Sequence, residues 1–547
     1  MSNKIFIQNG CYCKNTKVGD IELATPITNF TMEIISNHYR DEGIFREIVF
    51  IKDGQRSRPI LINPDDMWTN FQNYLSFCGE YLWRGNKNDL TNLWELLFSK
   101  SSGKTVLEPE FVGLQDDGSF LFENIAIKKD KVITPDDNGT FWTGNEGIKP
   151  RSISASRSEA SEGIPYLVTN KDLDFELLRD KLSTSMNPSK ALQCLSWCAS
   201  VLYMEEVFAK YGAFPFLFIT GKRRSGKSTI AEWLTNLFGF ESAGRMWSDT
   251  TPVGMSRLLA YYSGLPLWLD EYRNDTKYAT KIGMLRNVYN RQSSGKGTKD
   301  GFTVREAKIR GTCIITGEET PTDNALMSRC IVVEVTEKER NSSISTHSSS
   351  TNVYNWFTDN RRLLSNFTYK ILRNKHLLAQ DYLVKLSEYK DDLATVVDDR
   401  AAINSAVLAA GHFILFGEDK NFLNSLLQKT TTDKDTLEEE SIVNVFFDDV
   451  AAMMFSGAVS SNYLVERDGF VYIYFQGLYN EWAIDYKKRR GEPPFKLQSL
   501  RSYLTQEQGF VSNSVSCRFG EGSETSVRSC VKFNKEELPS YIKQLLK

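Results

Sequence analysis

The chain has 547 residues, 41% hydrophobic and 25% charged, with a formal net charge of −3. That length exceeds one hydrophobic core, since single cores stop growing near ~250–300 residues, so two to four domains are expected. The charge excludes a globally basic nucleic-acid binder, leaving local patches or a ring of subunits that focuses a few lysines on one channel. No run approaches the ~20 apolar residues of a membrane span, and the start, MSNKIFIQNG, lacks the apolar stretch of a secretion signal.

In chain order, residues 1–143 read as a mixed α/β N-terminal accessory domain. Short β-rich runs fall at 5–8, 27–34, 45–51, 111–114 and 119–127. Helical spacing covers 64–77 and 89–100, with Leu90, Leu93, Leu96 and Leu97 on one face. Residues 144–163 are rich in Ser, Gly and charge, and 144–187 reads as a linker or long loop. A helix over 189–210 leads into a strand over 214–220. Strands and helices then alternate to about residue 335, the pattern of an α/β domain with a largely parallel sheet, assigned to 188–340. Helical patterns dominate 341–435. In 436–547, the acidic run 438–440 opens a helix, followed by a β-like run at 470–475 and a helix at 477–486. A basic turn at 487–490, a second helix start and a closing strand at 526–533 complete a winged-helix-like pattern.

The nine cysteines are scattered. Cys11 and Cys13 lie too close for an ordinary zinc half-site. Cys194 and Cys198 sit one helical turn apart in an apolar run, the position of buried core thiols. A reduced, cytoplasmic protein is expected.

The segment Gly221, Lys222, Arg223, Arg224, Ser225, Gly226, Lys227, Ser228, Thr229 has the form of a phosphate-binding loop. Glycines at both ends let the backbone bend so that N–H groups converge on phosphate oxygens. Lys227 supplies a charge for the β- and γ-phosphates of ATP, and Ser228 a hydroxyl for Mg²⁺. The apolar PFLFIT before it and the helix STIAEWLTNLF after it place the loop between strand and helix, with the positive helix end aimed at the phosphates. A second strand, 265–269, runs straight into Asp270, a metal ligand, and Glu271, which polarises the attacking water. A third, 312–316, ends at Thr316, the candidate to sense the γ-phosphate. Arg329, before an apolar strand, is the candidate finger for a neighbouring subunit's γ-phosphate.

Between the acidic pair and Thr316 lies a glycine-rich segment carrying Lys296 and Lys299 and flanked by Arg291 and Arg305. It suits a hairpin that grips a phosphodiester backbone. Lys487, Lys488, Arg489 and Arg490 form a second basic patch for phosphate contacts.

The order of these motifs, GKRRSGKST, then TTPVGMSRLLAYYSGLPLWLDEYRN, the Gly-Lys-Gly-Thr segment, CIITGEE and SRCIVVEV, resembles the replication-type ATPases and helicases of phages, plasmids and chromosomal islands. These are of the broad AAA+ class, similar to superfamily 3 helicases and to the helicase parts of primase–helicase proteins. The resemblance covers about 188–335. It implies a homo-hexameric ring on single-stranded or forked DNA, ATP bound between subunits, and element-encoded primase or replication partners. Residue by residue it gives Lys227 and Ser228 the phosphate and metal roles, Asp270 and Glu271 the acidic pair, Thr316 the sensor, Arg329 the finger and Lys296/Lys299 the DNA-facing hairpin. The sensor position holds Thr where Asn is frequent. The first 150 residues hold no primase-like carboxylate set, so primase activity is not implied. The competing expectation is an ATP-dependent assembly switch, an origin-binding or anti-phage device without processive unwinding.

Overall fold

The computed structural model describes residues 4–18, 21–101, 103–152, 163–241, 244–292, 296–297, 304–305, 308–337, 349–439, 442–459, 461–490, 494–505, 507–519 and 526–546. The chain divides into two units, Met1–Ser425 and Leu426–Lys547. No helix among the described residues is long and apolar enough to cross a membrane.

Alternating burial marks Thr31–Arg40, which pairs antiparallel with Gly43–Lys52 at the centre of a seven-stranded sheet. The expected helix over 64–77 forms as two, Pro64–Trp68 and Phe71–Cys78. Lys87–Lys100 opens with a capping box made by Asn86 and Asp89. Leu90, Leu93 and Leu97 of that helix join Phe30, Phe50, Phe71 and Trp94 in one buried cluster, with Leu96 at its margin. The stretch read as a linker starts inside this sheet, since Glu146–Ile148 pairs with Thr105–Leu107. Farther on, Val168 and Leu173 are tied down by Ser365 and Asn366, at 2.9 and 3.0 Å. The apolar side chains Ile164, Leu167 and Leu173 are buried, so 163–173 runs as a strap rather than a solvated link.

A buried polar network crosses the same sheet. His38 Nδ1 lies 2.5 Å from Glu108 Oε1, its Nε2 lies 2.9 Å from Ser36 Oγ, and Ser36 Oγ donates to Glu47 at 2.6 Å. Arg40 Nε donates to the other Glu108 oxygen, and Lys149 adds charge near Glu47. Burial alone would depress the His38 imidazolium, but hydrogen bonds and charge from Glu108 and Glu47 outweigh it and raise its pKa above the ordinary 6.5. The His38 hydrogen bond holds Glu47 below its ordinary 4.5. Burial pushes Glu108 up, and its bonds to His38 and Arg40 pull it down further, leaving it below 4.5 too. The raised His38 value contributes stability present below pH 6.5 and lost as pH rises through the folded value. The depressed glutamates contribute stability present above pH 4.5 and lost on acidification. His38→Gln is therefore expected to cost about 3 kcal/mol near pH 6. Melting temperatures of the two chains should converge as pH is raised through the folded His38 value; a gap that widens would show that His38 is neutral in the fold.

The helix expected over 189–210 is two, α1 (Pro188–Val201) and α2 (Met204–Tyr211). Every α1 residue from 193 to 201 is buried, as for a helix covered on all sides. Burial pushes the Cys198 thiol well above its usual value. The chain then alternates through β1 (Phe216–Thr220), α3 (Lys227–Asn236), β2 (Arg245–Met246), α4 (Pro252–Tyr261), β3 (Pro266–Tyr272), α5 (Ala279–Val288), β4 (Thr312–Gly317), α6 (Asn324–Met327) and β5 (Cys330–Glu334). The five strands form one parallel sheet in the order β2-β3-β4-β1-β5. The strand before the candidate phosphate loop and the acidic strand are thus separated by the one carrying Thr316. Two long helices follow, α7 (Asn366–Ala394) and α8 (Asp399–Phe416). α8 presses on α1 at Gly411, where a Cβ would stand 1.9 Å from the Ser196 carbonyl oxygen.

A meander over residues 112–133 joins this core by parallel pairing of Val112–Leu114 with Tyr262–Ser263. The approach is close: a Cβ on Gly113 would lie 2.1 Å from the Ser263 carbonyl oxygen.

In the second unit a four-stranded antiparallel sheet packs with helices around Phe446, Phe475, Trp482, Leu500 and Phe533. The hairpin of Leu464–Arg467 with Phe470–Ile473 contributes two of its strands, of which the sequence signalled only the second. The basic turn expected at 487–490 is helical instead, the end of a helix over Phe475–Arg490. Cations in the last turn of a helix face its negative end, which favours continuation over a turn.

Candidate functional site

The site begins with the backbone at 221–226. Gly221 has φ +156° and a Cβ there would meet the Val335 carbonyl oxygen at 2.3 Å, so any larger residue would force the loop off the sheet. Arg224 at φ +69° and Gly226 at φ +98° complete the turn, closed by Ser225 N–H donating to the Lys222 carbonyl at 3.1 Å. Gly226 is the N-cap of α3 and provides no side-chain cap, whereas Asn63, Asn86 and Asn187 cap other helices. The first N–H donors of α3 are therefore left for an anion. Lys227, in that first turn, makes no ion pair among the described residues.

Opposite stands the end of β3. The β3–β4 ladder slips between Leu269 and Tyr272, and Glu271 has φ +58°. Such a bulge lifts both carboxylates out of the ladder, and a non-glycine residue in the left-handed region stores roughly 1–2 kcal/mol. Asp270 is the hub. Its Oδ1 accepts from Ser228 Oγ at 3.3 Å, from the Glu271 N–H at 2.9 Å and from Thr316 Oγ1. The structure thus brings Ser228, Asp270 and Thr316 onto one carboxylate oxygen. Glu271 is exposed, with Arg273 at 3.6 Å.

Thr316 sits differently from expectation. Its side chain is fully buried, and its hydroxyl accepts from Trp268 Nε1 at 3.1 Å while donating to Asp270. The indole donor directs the hydroxyl proton towards Asp270. Asn274, which sequence reasoning missed, ties the loop after β3 to the loop after β4. It donates to Glu319 and Thr320 and accepts from the Thr322 N–H.

Arg329 lies at the opposite, N-terminal end of the strands. Cys330 pairs with Phe216 and Glu334 with Thr220, so Arg329 precedes β5 at the level where β1 begins, whereas Gly221 follows its end. The whole of strand Phe216–Thr220 lies between those levels, six residue steps or about 20 Å at ~3.3 Å per residue. The Arg329 guanidinium donates to the Ala325 carbonyl and lies 5.4 Å from the centre of the Tyr289 ring. Burial, then the like charge of Arg400, pulls it below its ordinary pKa.

Of the basic segment, Lys296–Gly297 pairs antiparallel with Val304–Arg305, so a hairpin is present; Lys299 lies outside the described residues. The described residues flanking the hairpin are anchored. Arg291, at φ +53°, pairs with Glu205 at 2.7 Å and stacks 3.8 Å over Phe208. Arg310 pairs with Asp116 at 2.7 Å. Arg291 is thereby committed to the protein, and Lys308 and Arg310 line a cleft of about 550 Å³ with Arg151 and Arg257. In the second unit Lys487 and Lys488 are exposed. Arg489 is taken up by Asp485 and by Asp449, the latter at 3.0 Å, and Arg490 ends the helix.

Fold and site define a mixed α/β protein whose parallel five-stranded core gathers an uncapped glycine-led helix start and a carboxylate pair at the C-terminal ends of its strands. Among solved structures, this fold is shared along the whole chain with that described as "SCCmec type IV Cch - active helicase". The TM-score is 0.58 at 14% identity, over 99% of each chain. The apo C-terminal region of NrS-1 gives a TM-score of 0.32 at 12% identity, covering 89% of this chain and 94% of that one, too low to carry an argument. No family model matches the chain, and no curated protein matches it.

Proposed function

We propose that this chain is an ATP-dependent DNA helicase or translocase that assembles as a ring, a hexamer by the sequence resemblance, and serves replication of a phage, plasmid or chromosomal island. The observation that carries the reading is the convergence on Asp270: the hydroxyl that follows the lysine of a glycine-hinged loop meets the carboxylate of a bulged strand end. The strand order β2-β3-β4-β1-β5 supports an AAA+ core, and the shared fold with a structure titled an active helicase points the same way. The helices and antiparallel hairpin of the second unit support a winged helix there.

In this reading the open N–H groups of α3 and the Lys227 ammonium hold the β- and γ-phosphates of ATP. A hydroxyl and a carboxylate are hard oxygen donors of the kind magnesium takes, and Ser228 and Asp270 would hold it. When bound there, magnesium would neutralise charge on the phosphate oxygens. Thr316, steered by Trp268, keeps Asp270 oriented. Glu271 accepts the proton of the attacking water. Arg329, at the opposite end of the strands from its own loop, serves the nucleotide of a neighbouring copy, which requires assembly. The 296–305 hairpin, with Lys296 and Lys299, grips the DNA backbone, and Lys487, Lys488 and Arg490 add phosphate contacts.

The test is ATP turnover with and without single-stranded DNA. Stimulation is expected, falling at least ~10-fold in extent and becoming less salt-dependent when Lys296 and Lys299 become Ala, with basal turnover and melting unchanged. Turnover indifferent to DNA but steeply dependent on protein concentration would replace the helicase reading by the assembly switch.

A further inference from the structure

Behind β5 the chain places a second arginine beside the first. Arg400 opens α8, whose N-cap Asp398 accepts the N–H groups of Arg400 and Ala401 at 3.0 and 3.1 Å. Arg400 Nη1 donates to Ser328 Oγ at 2.9 Å, one residue before Arg329. Asn404, one turn along, donates to the Ser328 carbonyl at 3.0 Å and accepts from Tyr289 OH at 3.0 Å. Three pieces of chain, the end of α5, the end of α6 and the start of α8, are thereby fixed to one another. Both guanidinia lie on the Tyr289 ring, at 5.4 and 6.0 Å from its centre.

Charge is not balanced there. Arg286 stands near enough to oppose Arg329 electrostatically and shares Asp323 with it at the edge of the cluster, 3.6 Å from the Asp323 carboxylate. Asp398 is spent on the α8 cap, and Asp399 is turned to Lys390 at 2.7 Å. Arg329 Nε is buried and has no hydrogen-bond partner. With Asp399 turned away, Arg286, Arg329 and Arg400 face only the carboxylates of Asp323 and the capping Asp398 at the positive end of an 18-residue helix, an arrangement whose repulsion an anion would relieve.

We infer that Arg329 and Arg400 form a paired anion site that takes the terminal phosphate of a nucleotide bound to a neighbouring copy of this chain, with Arg400 as a second catalytic arginine. The inference rests on the ATPase reading. Two planar guanidinium forks suit the oxygens of a phosphoryl group in a way that one fork or a lysine does not. The chain's own nucleotide loop is excluded by the strand length that separates Arg329 from Gly221, and Arg400 is fastened to the Arg329 side of that divide. The arginine at 400 gave no sequence signal because it belongs to a helix some 70 residues further on, outside every motif.

The experiment measures turnover of the full chain, with affinity for a fluorescent ATP analogue and sedimentation as companions. Arg400→Ala is expected to lower turnover by at least ~10²-fold while affinity and assembly stay within ~3-fold. Mixed with Glu271→Gln subunits, which keep both arginines, it should recover activity. Mixed with Arg329→Ala subunits it should not, because both defects fall on the same side of the interface. Recovery with Arg329→Ala would place Arg400 on its own subunit's nucleotide and overturn the inference. So would full turnover in Arg400→Ala. Ser328→Ala removes the tie between Arg400 and the Arg329 segment and leaves both charges; a loss as deep as that of Arg400→Ala would make Arg400 a positioning residue only. If the alanine chain fails to fold, Arg400→Lys replaces it, with less than about a tenth of normal turnover expected. A dead Arg329→Ala beside an active Arg400→Ala removes this inference alone, whereas absence of nucleotide binding by the unaltered chain removes the ATPase reading beneath it.

Discussion

Glu271→Gln is expected to bind ATP as tightly as the unaltered chain and to hydrolyse it ~10²–10⁴-fold more slowly. The amide has the size of the carboxylate, so the bulge between Leu269 and Tyr272, and the Glu271 N–H bond to Asp270, persist. What disappears is the ability to take a proton from water. Asp270 cannot substitute, because its Oδ1 is already surrounded by Ser228, Thr316 and the Glu271 N–H. A companion variant separates chemistry from backbone. Glu271→Gly should be equally inactive but more stable by roughly 1 kcal/mol, because glycine adopts φ +58° without the steric cost borne by glutamate. Binding is read by fluorescence, turnover by phosphate release and stability by melting temperature. Normal hydrolysis by Glu271→Gln would dismiss it as the base. Loss of binding along with turnover would make Glu271 part of nucleotide affinity.

The parallel core was legible because its signals are local. A buried run such as FLFIT followed by a glycine-led turn and an apolar helix leaves few alternatives, and LPLWLDE places two carboxylates where a strand must end. Thr316 was legible as the end of β4 but not in its orientation, which depends on Trp268 reaching across from β3. Such cross-strand side-chain bonds have no sequence period. The serine- and glycine-rich composition of 144–163 hid the strand Glu146–Ile148, because a two-residue hairpin and a linker use the same residues. The strap at 163–173 was hidden for a different reason: its partners Ser365 and Asn366 lie about 200 residues away. At 487–490 charge alone suggested a turn, yet Asp485 and Asp449 neutralise Arg489 and let the helix run on. Arg400 was invisible for want of any neighbouring motif; only folding sets it against Ser328.

Arg329→Ala is expected to lower turnover by about 10³-fold with nucleotide affinity intact, since a finger stabilises charge that develops only during transfer. If the chain assembles as proposed, the strand register makes this an intersubunit effect. Arg329 stands before the first residue of β5 and Gly221 after the last residue of β1, and a side chain of arginine length does not cover that distance within one copy. Complementation follows from the geometry. An Arg329→Ala subunit keeps its acidic pair, and a Glu271→Gln subunit keeps its finger, so a finger-bearing neighbour can complete the site of the first. With random mixing at equal amounts, roughly a quarter of interfaces have the productive order, whatever the ring size. Recovered turnover should therefore approach a quarter of normal if interfaces fire independently, and fall short of it if they fire in sequence. Either value supports a shared site. Mixtures as inactive as their components, at concentrations where sedimentation shows co-assembly, would confine Arg329 to its own subunit, and its bonds to Ala325 and Tyr289 would then be its whole purpose.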